Sequence, residues 1–173
     1  MDERRVLASP VALATPPDVV DWLRTLAPRV VAVDAPRAAA PPGSRSRGGE
    51  RELVRQVCGI RFTPDRRLLR SNRSYYDWIR RGFVLYRALE RAGFAVVECF
   101  PTASWTVWAG PRGAKSRAAW TASALAGLAL DAVPVRLGQD ARDAIAAAVT
   151  ARLHDCGRTR SFAELVVPRG PSP

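Results

Sequence analysis

Lysine and histidine are almost missing from this chain: Lys115 and His154 are the sole examples in 173 residues. A Ser-His or Cys-His nucleophile system would have to be built on that one imidazole. His154, however, falls in the last turn of an Ala-rich helical segment, where a polar or positive group near the carbonyl ends is ordinary, so its expected role is structural. Cys58, Cys99 and Cys156 stand far apart with no Cys-x-x-Cys pair, which argues against a thiolate zinc site. No uninterrupted apolar stretch approaches the length of a membrane-spanning helix, and the opening Met-Asp-Glu-Arg-Arg is not followed by a signal-peptide core. With the unpaired cysteines, this predicts a cytoplasmic protein with no membrane partner. The chain also lacks a Gly-x-x-x-x-Gly-Lys-Ser/Thr loop and a Gly-x-Gly-x-x-Gly turn, which weakens ATPase and dinucleotide-enzyme readings.

What is abundant is arginine. The net charge of +11 and the pI near 11.2 rest almost wholly on it. Such a surface draws polyanions from a distance and steers their approach, so DNA or RNA is the expected partner. An Arg- and Ala-rich composition is also what a GC-rich genome produces, and that reading stays open. A hydrophobic share of 47% supplies a core for one compact domain, expected over residues 1–168 with a frayed tail at 169–173.

Along the chain, Thr15-Pro16-Pro17-Asp18 reads as a helix start, and the helix runs to Pro28. Residues 5–14 alternate weakly, as a strand or short hairpin. Residues 30–33 form a short β-branched, non-alternating run, as expected of a central strand buried on both faces. Residues 38–49 read as a flexible basic loop leaving that strand. The remaining expected helices are 50–58, 75–91, 115–130 and 140–156. A second polar loop, carrying Arg66, Arg67, Arg70 and Arg73, covers 63–73. Residues 94–97 form the next strand, and 162–167 a last strand or edge segment. The segment carrying Trp105 and Trp108 has no clear assignment: the rings are packed in the core or stack on bases. Strands and helices alternate, so the fold class is α/β with a mixed or mainly parallel sheet.

Four acidic residues stand out in this basic chain. Val-Ala-Val-Asp34-Ala-Pro36 and Val-Val-Glu98-Cys-Phe-Pro101 each end a buried run, and Asp140-Ala-Arg-Asp143 opens the last helix, where residues three apart share one face. A two-metal nuclease needs three or four carboxylates from different elements to hold cations roughly 4 Å apart. Oxygen ligands suit Mg²⁺ or Mn²⁺. Plain alternatives exist: Asp34 as a turn residue, Asp140 as an N-cap and Asp143 as a complement to the helix dipole. Glu98 is harder to dismiss, because a carboxylate in a buried strand needs a partner or a cation.

These motifs, with Lys115 before a helix and the Asp140-Ala-Arg-Asp143-Ala-Ile-Ala-Ala-Ala-Val-Thr-Ala run, resemble the domain of unknown function 429 family, described as predicted nucleases with an RNase H-like fold. The resemblance spans about residue 30 to 168. It implies a mixed sheet flanked by helices and a metal-dependent phosphodiester hydrolase. Asp34, Glu98 and Asp143 are then the expected catalytic residues, and Asp34, Glu98, Asp140 and Asp143 the metal ligands. Arg37 and Lys115 are the expected phosphate contacts. The acidic pair on the last helix is also similar to RuvC-type resolvases.

Members of that family begin with a strand bearing an aspartate after Gly-Ile or Gly-Val. Nothing before Asp34 matches: Asp2, Asp18 and Asp21 stand in other settings. The expectation is a chain without the amino-terminal hairpin, or a degenerate branch, with little or no cleavage as it stands. A catalytically inert nucleic-acid- or protein-binding module on the same fold is the alternative, and a small-molecule phosphoryl enzyme a third. Arg45, Arg47, Arg66, Arg67 and Arg70 are expected to meet phosphates weakly and with strong salt dependence.

Overall fold

The computed structural model describes residues 5–71 and 74–170. Asp2, Arg73 and the last three residues of the expected tail lie outside them. Among the described residues, seven helices and four strands follow in the order α1 (Pro16–Leu26), β1 (Val31–Val33), α2 (Gly48–Gln56), α3 (Arg66–Ser71), α4 (Asp77–Arg91), β2 (Val96–Cys99), α5 (Pro101–Ala109), α6 (Arg117–Gly127), α7 (Gln139–Asp155), β3 (Thr159–Phe162) and β4 (Leu165–Pro168). The strands form one mixed sheet in the order β1-β2-β4-β3, with β1, β2 and β4 parallel and β3 antiparallel to β4. The α/β class is as the alternation of elements implies. Among the described residues no helix is long and apolar enough to cross a membrane.

Helix α1 starts where the sequence says it should. The Thr15 hydroxyl accepts from the Asp18 N–H, and the Asp18 carboxylate accepts from the Thr15 N–H at 3.0 Å, a reciprocal cap. Its inner face, Val20 and Leu23, packs with Tyr86 and Leu89 of α4 on Val33 and Val96 of the sheet. The other sheet face belongs to α7, which touches β1, β2 and β4 and is backed by α5 and α6. Helix α7 is buried on most sides, not along one stripe: Asp143, Ile145, Ala146, Ala147, Val149, Thr150, Ala151 and Leu153 are all inside. Ala144 and Ala148 are the exposed positions in its middle turns.

Several elements depart from the sequence reading. Residues 5–14 form no strand, only an isolated bridge from Arg5 to Asp131. The segment read as a polar loop contains α3, started by Asp65, whose carboxylate accepts from the Leu68 N–H at 2.9 Å. The unassigned tryptophans lie in α5, buried edge to face with ring centroids 5.4 Å apart, so they are core and unavailable to bases. A hairpin, β3–β4, replaces the single expected last strand. It turns at Ala163, in the left-handed region at φ 54°, with no Gly or Asn to announce it. The tail is not frayed at its start, because the Arg169 N–H donates to the Arg158 carbonyl at 3.0 Å and its Nε to the Thr159 carbonyl at 2.7 Å.

Gly49 fixes how α2 meets this hairpin. A Cβ there would lie 2.1 Å from the Phe162 carbonyl oxygen, a backbone atom that cannot step aside. Gly49→Ala is expected to cost about 1–3 kcal/mol by overpacking, read as a lower urea midpoint at unchanged slope.

Candidate functional site

Register decides which carboxylates meet. Val33 pairs with Glu98 across the parallel β1–β2 ladder, so their side chains share a sheet face, and Asp34, one residue on, faces the other way. That other side is where α7 packs, bringing Asp34 toward Asp143 and Asp140. The crowding of protein around its carboxyl pushes Asp34 up to about 7; Asp143, Glu98 and Asp140 add to this and Arg117 opposes it. Water nevertheless reaches the residue, so the crowding is that of an open cleft and not of the interior. Among the described residues, Asp34 receives no hydrogen bond and no ion pair. The Tyr86 hydroxyl holds the backbone on either side of it, reaching the carbonyls of Ala35 at 3.0 Å and Val33 at 3.4 Å. Tyr86→Phe is expected to cost about 1 kcal/mol in thermal unfolding, with Asp34 loosened by the same change.

Asp143 is the opposite case. Its carboxylate accepts from Trp105 Nε1 at 2.8 Å, from Arg117 Nη2 at 2.9 Å and from Gln139 Nε2 at 3.1 Å. The Gln139 amide is itself oriented: its oxygen accepts from Arg142 and from the Thr121 hydroxyl, both at 3.1 Å, which turns the nitrogen toward Asp143. Trp105, Arg117, Gln139 and Arg142 were missed in the sequence. Gln139 had a signal, standing four residues before Asp143 on the same helix. Arg142 also lies on α7, three residues after Gln139, whereas Trp105 and Arg117 arrive from α5 and α6 with no local spacing to announce them. Asp140 is exposed in the first turn of α7.

Glu98, expected as a ligand, is buried and its oxygens are occupied. Arg47 grips it with both terminal nitrogens, Nη1 at 2.7 Å from Oε2 and Nη2 on Oε1, and the Arg37 N–H donates to Oε2 at 2.9 Å. Arg47 Nε also donates to Glu50 at 3.0 Å, and Glu50 accepts from the Thr63 N–H and hydroxyl. Burial works against the Arg47 charge, but bonding and attraction from Glu98 and Glu50 more than offset it and hold its pKa above the ordinary value. Arg47, expected in a flexible loop facing phosphates, is therefore an internal cation.

Arg37 stays at the surface, its side chain 39% exposed, but is engaged by the protein. Its guanidinium donates to the Val96 carbonyl at 2.9 Å and to Glu90, and it lies over the Tyr86 ring. Lys115 is exposed in the loop before α6, two residues from Arg117. Cys99 is no nucleophile: burial, with Asp34, Glu98 and Asp143 nearby, pushes its thiol well up. His154 shares a hydrogen bond with the Thr159 hydroxyl at 2.9 Å, tying α7 to β3.

Among the described residues, no three or more His, Cys, Asp or Glu side chains are grouped so as to hold a metal ion. The arrangement is thus one unpaired carboxyl, Asp34, opposite a protein-bound one, Asp143, with a movable guanidinium between strand end and helix. Comparison with protein-family models, with curated proteins and with solved structures gave no match for this chain.

Proposed function

We propose that this chain is a divalent-cation-dependent phosphodiesterase acting on DNA or RNA, on an RNase H-like scaffold of the domain of unknown function 429 type. The observation that carries the reading is Asp34. A carboxyl at a strand's carboxyl end, unpartnered and made costly to ionise first by the protein crowded around it and then by its carboxylate neighbours, is a group that a hard cation stabilises. In ligand chemistry Asp34, Asp143 and Asp140 suit Mg²⁺ or Mn²⁺, since they offer oxygen alone, although the three are not drawn together into a metal-holding group. Bound there, the ion would polarise a phosphoryl oxygen and activate water.

The chain's own residues supply the rest. Arg117 reaches Asp143 from a side chain that is 47% exposed, so it is free to swing to a phosphate when a cation takes its place. Lys115 adds a second positive group beside it. Gln139 and Trp105 hold the Asp143 carboxylate in orientation, and Arg47 and Glu98 fix the end of β2. Two aspartate sources hold one ion well and a second poorly, so cleavage is expected to be slow.

Saturation of Asp143 by three protein donors favours the alternative, an inert nucleic-acid-binding module. Mn²⁺ titration followed by electron paramagnetic resonance separates the two. One weakly bound Mn²⁺, lost in both Asp34→Asn and Asp143→Asn, is the expected result. Mn²⁺ binding indifferent to both substitutions would remove the phosphodiesterase reading.

A further inference from the structure

The described residues expose three aromatic side chains, and all three come from one stretch: Phe62 at 41%, Tyr75 at 49% and Trp78 at 38%. Large rings left in water are costly unless something covers them. Arginines are interleaved with them. Arg61 lies over the Tyr75 ring at 5.4 Å, which brings the strand of chain before α3 against the start of α4, and Arg66 and Arg70 of α3 are exposed. The Arg80 guanidinium donates to the Leu69 carbonyl at 3.0 Å, tying α3 to α4.

This face is held firmly, in a way its loop-like sequence does not suggest. The Asp65 N–H donates to the Ser44 carbonyl at 3.0 Å, and Asp65 Oδ2 accepts from the Gly43 N–H at 2.8 Å. Thr63, next to Phe62, is bound through Glu50 and Arg47 to Glu98. A chain of buried charges therefore links the ring-bearing face to the end of the strand that neighbours Asp34.

We propose that this face binds single-stranded nucleic acid, its bases stacking on Phe62, Tyr75 and Trp78 and its phosphates meeting Arg61, Arg66 and Arg70. The rings choose single strands over duplex. In a duplex the base faces already cover one another and only phosphates remain for the protein. An unstacked base gains about 1–3 kcal/mol on an aromatic side chain. The arginines match the charge, and their planar forks suit phosphate oxygens. The inference adds a substrate form to the phosphodiesterase reading, but binding here needs neither Asp34 nor a metal.

The test is fluorescence anisotropy with a labelled oligodeoxythymidylate and a duplex of equal length, both in EDTA over a salt series. Wild type should prefer the single strand. The triple variant Phe62→Ala, Tyr75→Ala, Trp78→Ala should weaken single-strand binding by about tenfold or more while leaving duplex binding and the salt slope unchanged. Arg66→Ala with Arg70→Ala should weaken both and lower the single-strand salt slope by about 0.7 per lost phosphate contact. Circular dichroism melts check that each variant is folded. Equal losses on both nucleic acids in the ring variant, no loss at all, or tighter binding to anionic vesicles than to oligonucleotide would overturn the proposal. Binding that persists in Asp34→Asn without Mn²⁺-dependent cleavage in wild type would leave this inference standing and remove the enzyme reading alone.

Discussion

Arg47→Ala should destabilise the protein by about 3–5 kcal/mol, the largest loss expected of any single substitution considered. The residue is 6% exposed and its side chain bonds two carboxylates, of Glu98 and Glu50, residues that are themselves 2% and 1% exposed. Removing the cation leaves both charges inside with no counter-charge, and the full cost of desolvating them appears. Arg47→Lys should recover little, since an ammonium cannot make the paired contact to Glu98 while also reaching Glu50. Arg47→Met combined with Glu98→Leu should recover most of the loss, because Glu50 keeps the Thr63 N–H and hydroxyl. Urea unfolding followed by tryptophan fluorescence measures all three. A loss below about 1 kcal/mol would mean that the carboxylates reach water once Arg47 is gone.

Asp34→Asn should make the metal-free protein more stable at pH 8. The folded-state pKa of about 7 lies above the ordinary 3.8, so the folded chain holds a proton that the unfolded chain releases. Stability is therefore full below about 4, falls as pH rises toward 7 and is flat beyond. Over that window the unscreened loss would be about 4 kcal/mol; water at the open cleft screens the charge and brings the expected figure to about 2 kcal/mol. Asparagine removes the ionisation and with it this slope. Adding Mn²⁺ at pH 8 should raise the melting temperature of the wild type and not of the variant, since a cation offsets the same repulsion that the amide abolishes. Calorimetric melts from pH 4 to 8, with and without Mn²⁺, check both parts. A slope shared by wild type and variant would place the titrating group elsewhere.

The parts of this fold that could be read from sequence are those whose signals are local. The α1 cap, the β-branched run of β1 and the Val-Val-Glu run of β2 each carry their own chemistry. Helix α5 could not be read, because a helix buried on most sides has no polar stripe to reveal its period. Strand β3 is Thr-Arg-Ser-Phe, with one apolar residue, and takes its place only from pairing with β4. At the candidate site, the sequence argument that Glu98 needs a partner or a cation was sound, and the partner is Arg47. Nothing local could show that, since the two are 51 residues apart and Arg47 sits among Ser, Arg and Gly residues that look like a flexible linker. The electrostatic influence of Asp143 on Asp34 followed from strand-end and helix-face placement. The separation of Asp34 from Glu98 did not, because it depends on β-register, a property of the pairing and not of either strand.

The same buried pair sets a timetable for synthesis. Arg47 leaves the ribosome 51 residues ahead of Glu98, a delay of about 3–10 s at ordinary elongation rates. Throughout it, Arg47 has only Glu50 of its two carboxylate partners and β1 has no neighbouring strand. The sheet cannot begin until β2 emerges, and it cannot be completed until the β3–β4 hairpin follows α7 out. A nascent chain stopped after α4 thus carries most of the basic surface without a folded core to organise it. In that interval the growing polypeptide is an arginine-rich, ring-bearing chain whose buried cation still lacks the carboxylate that it grips with both terminal nitrogens.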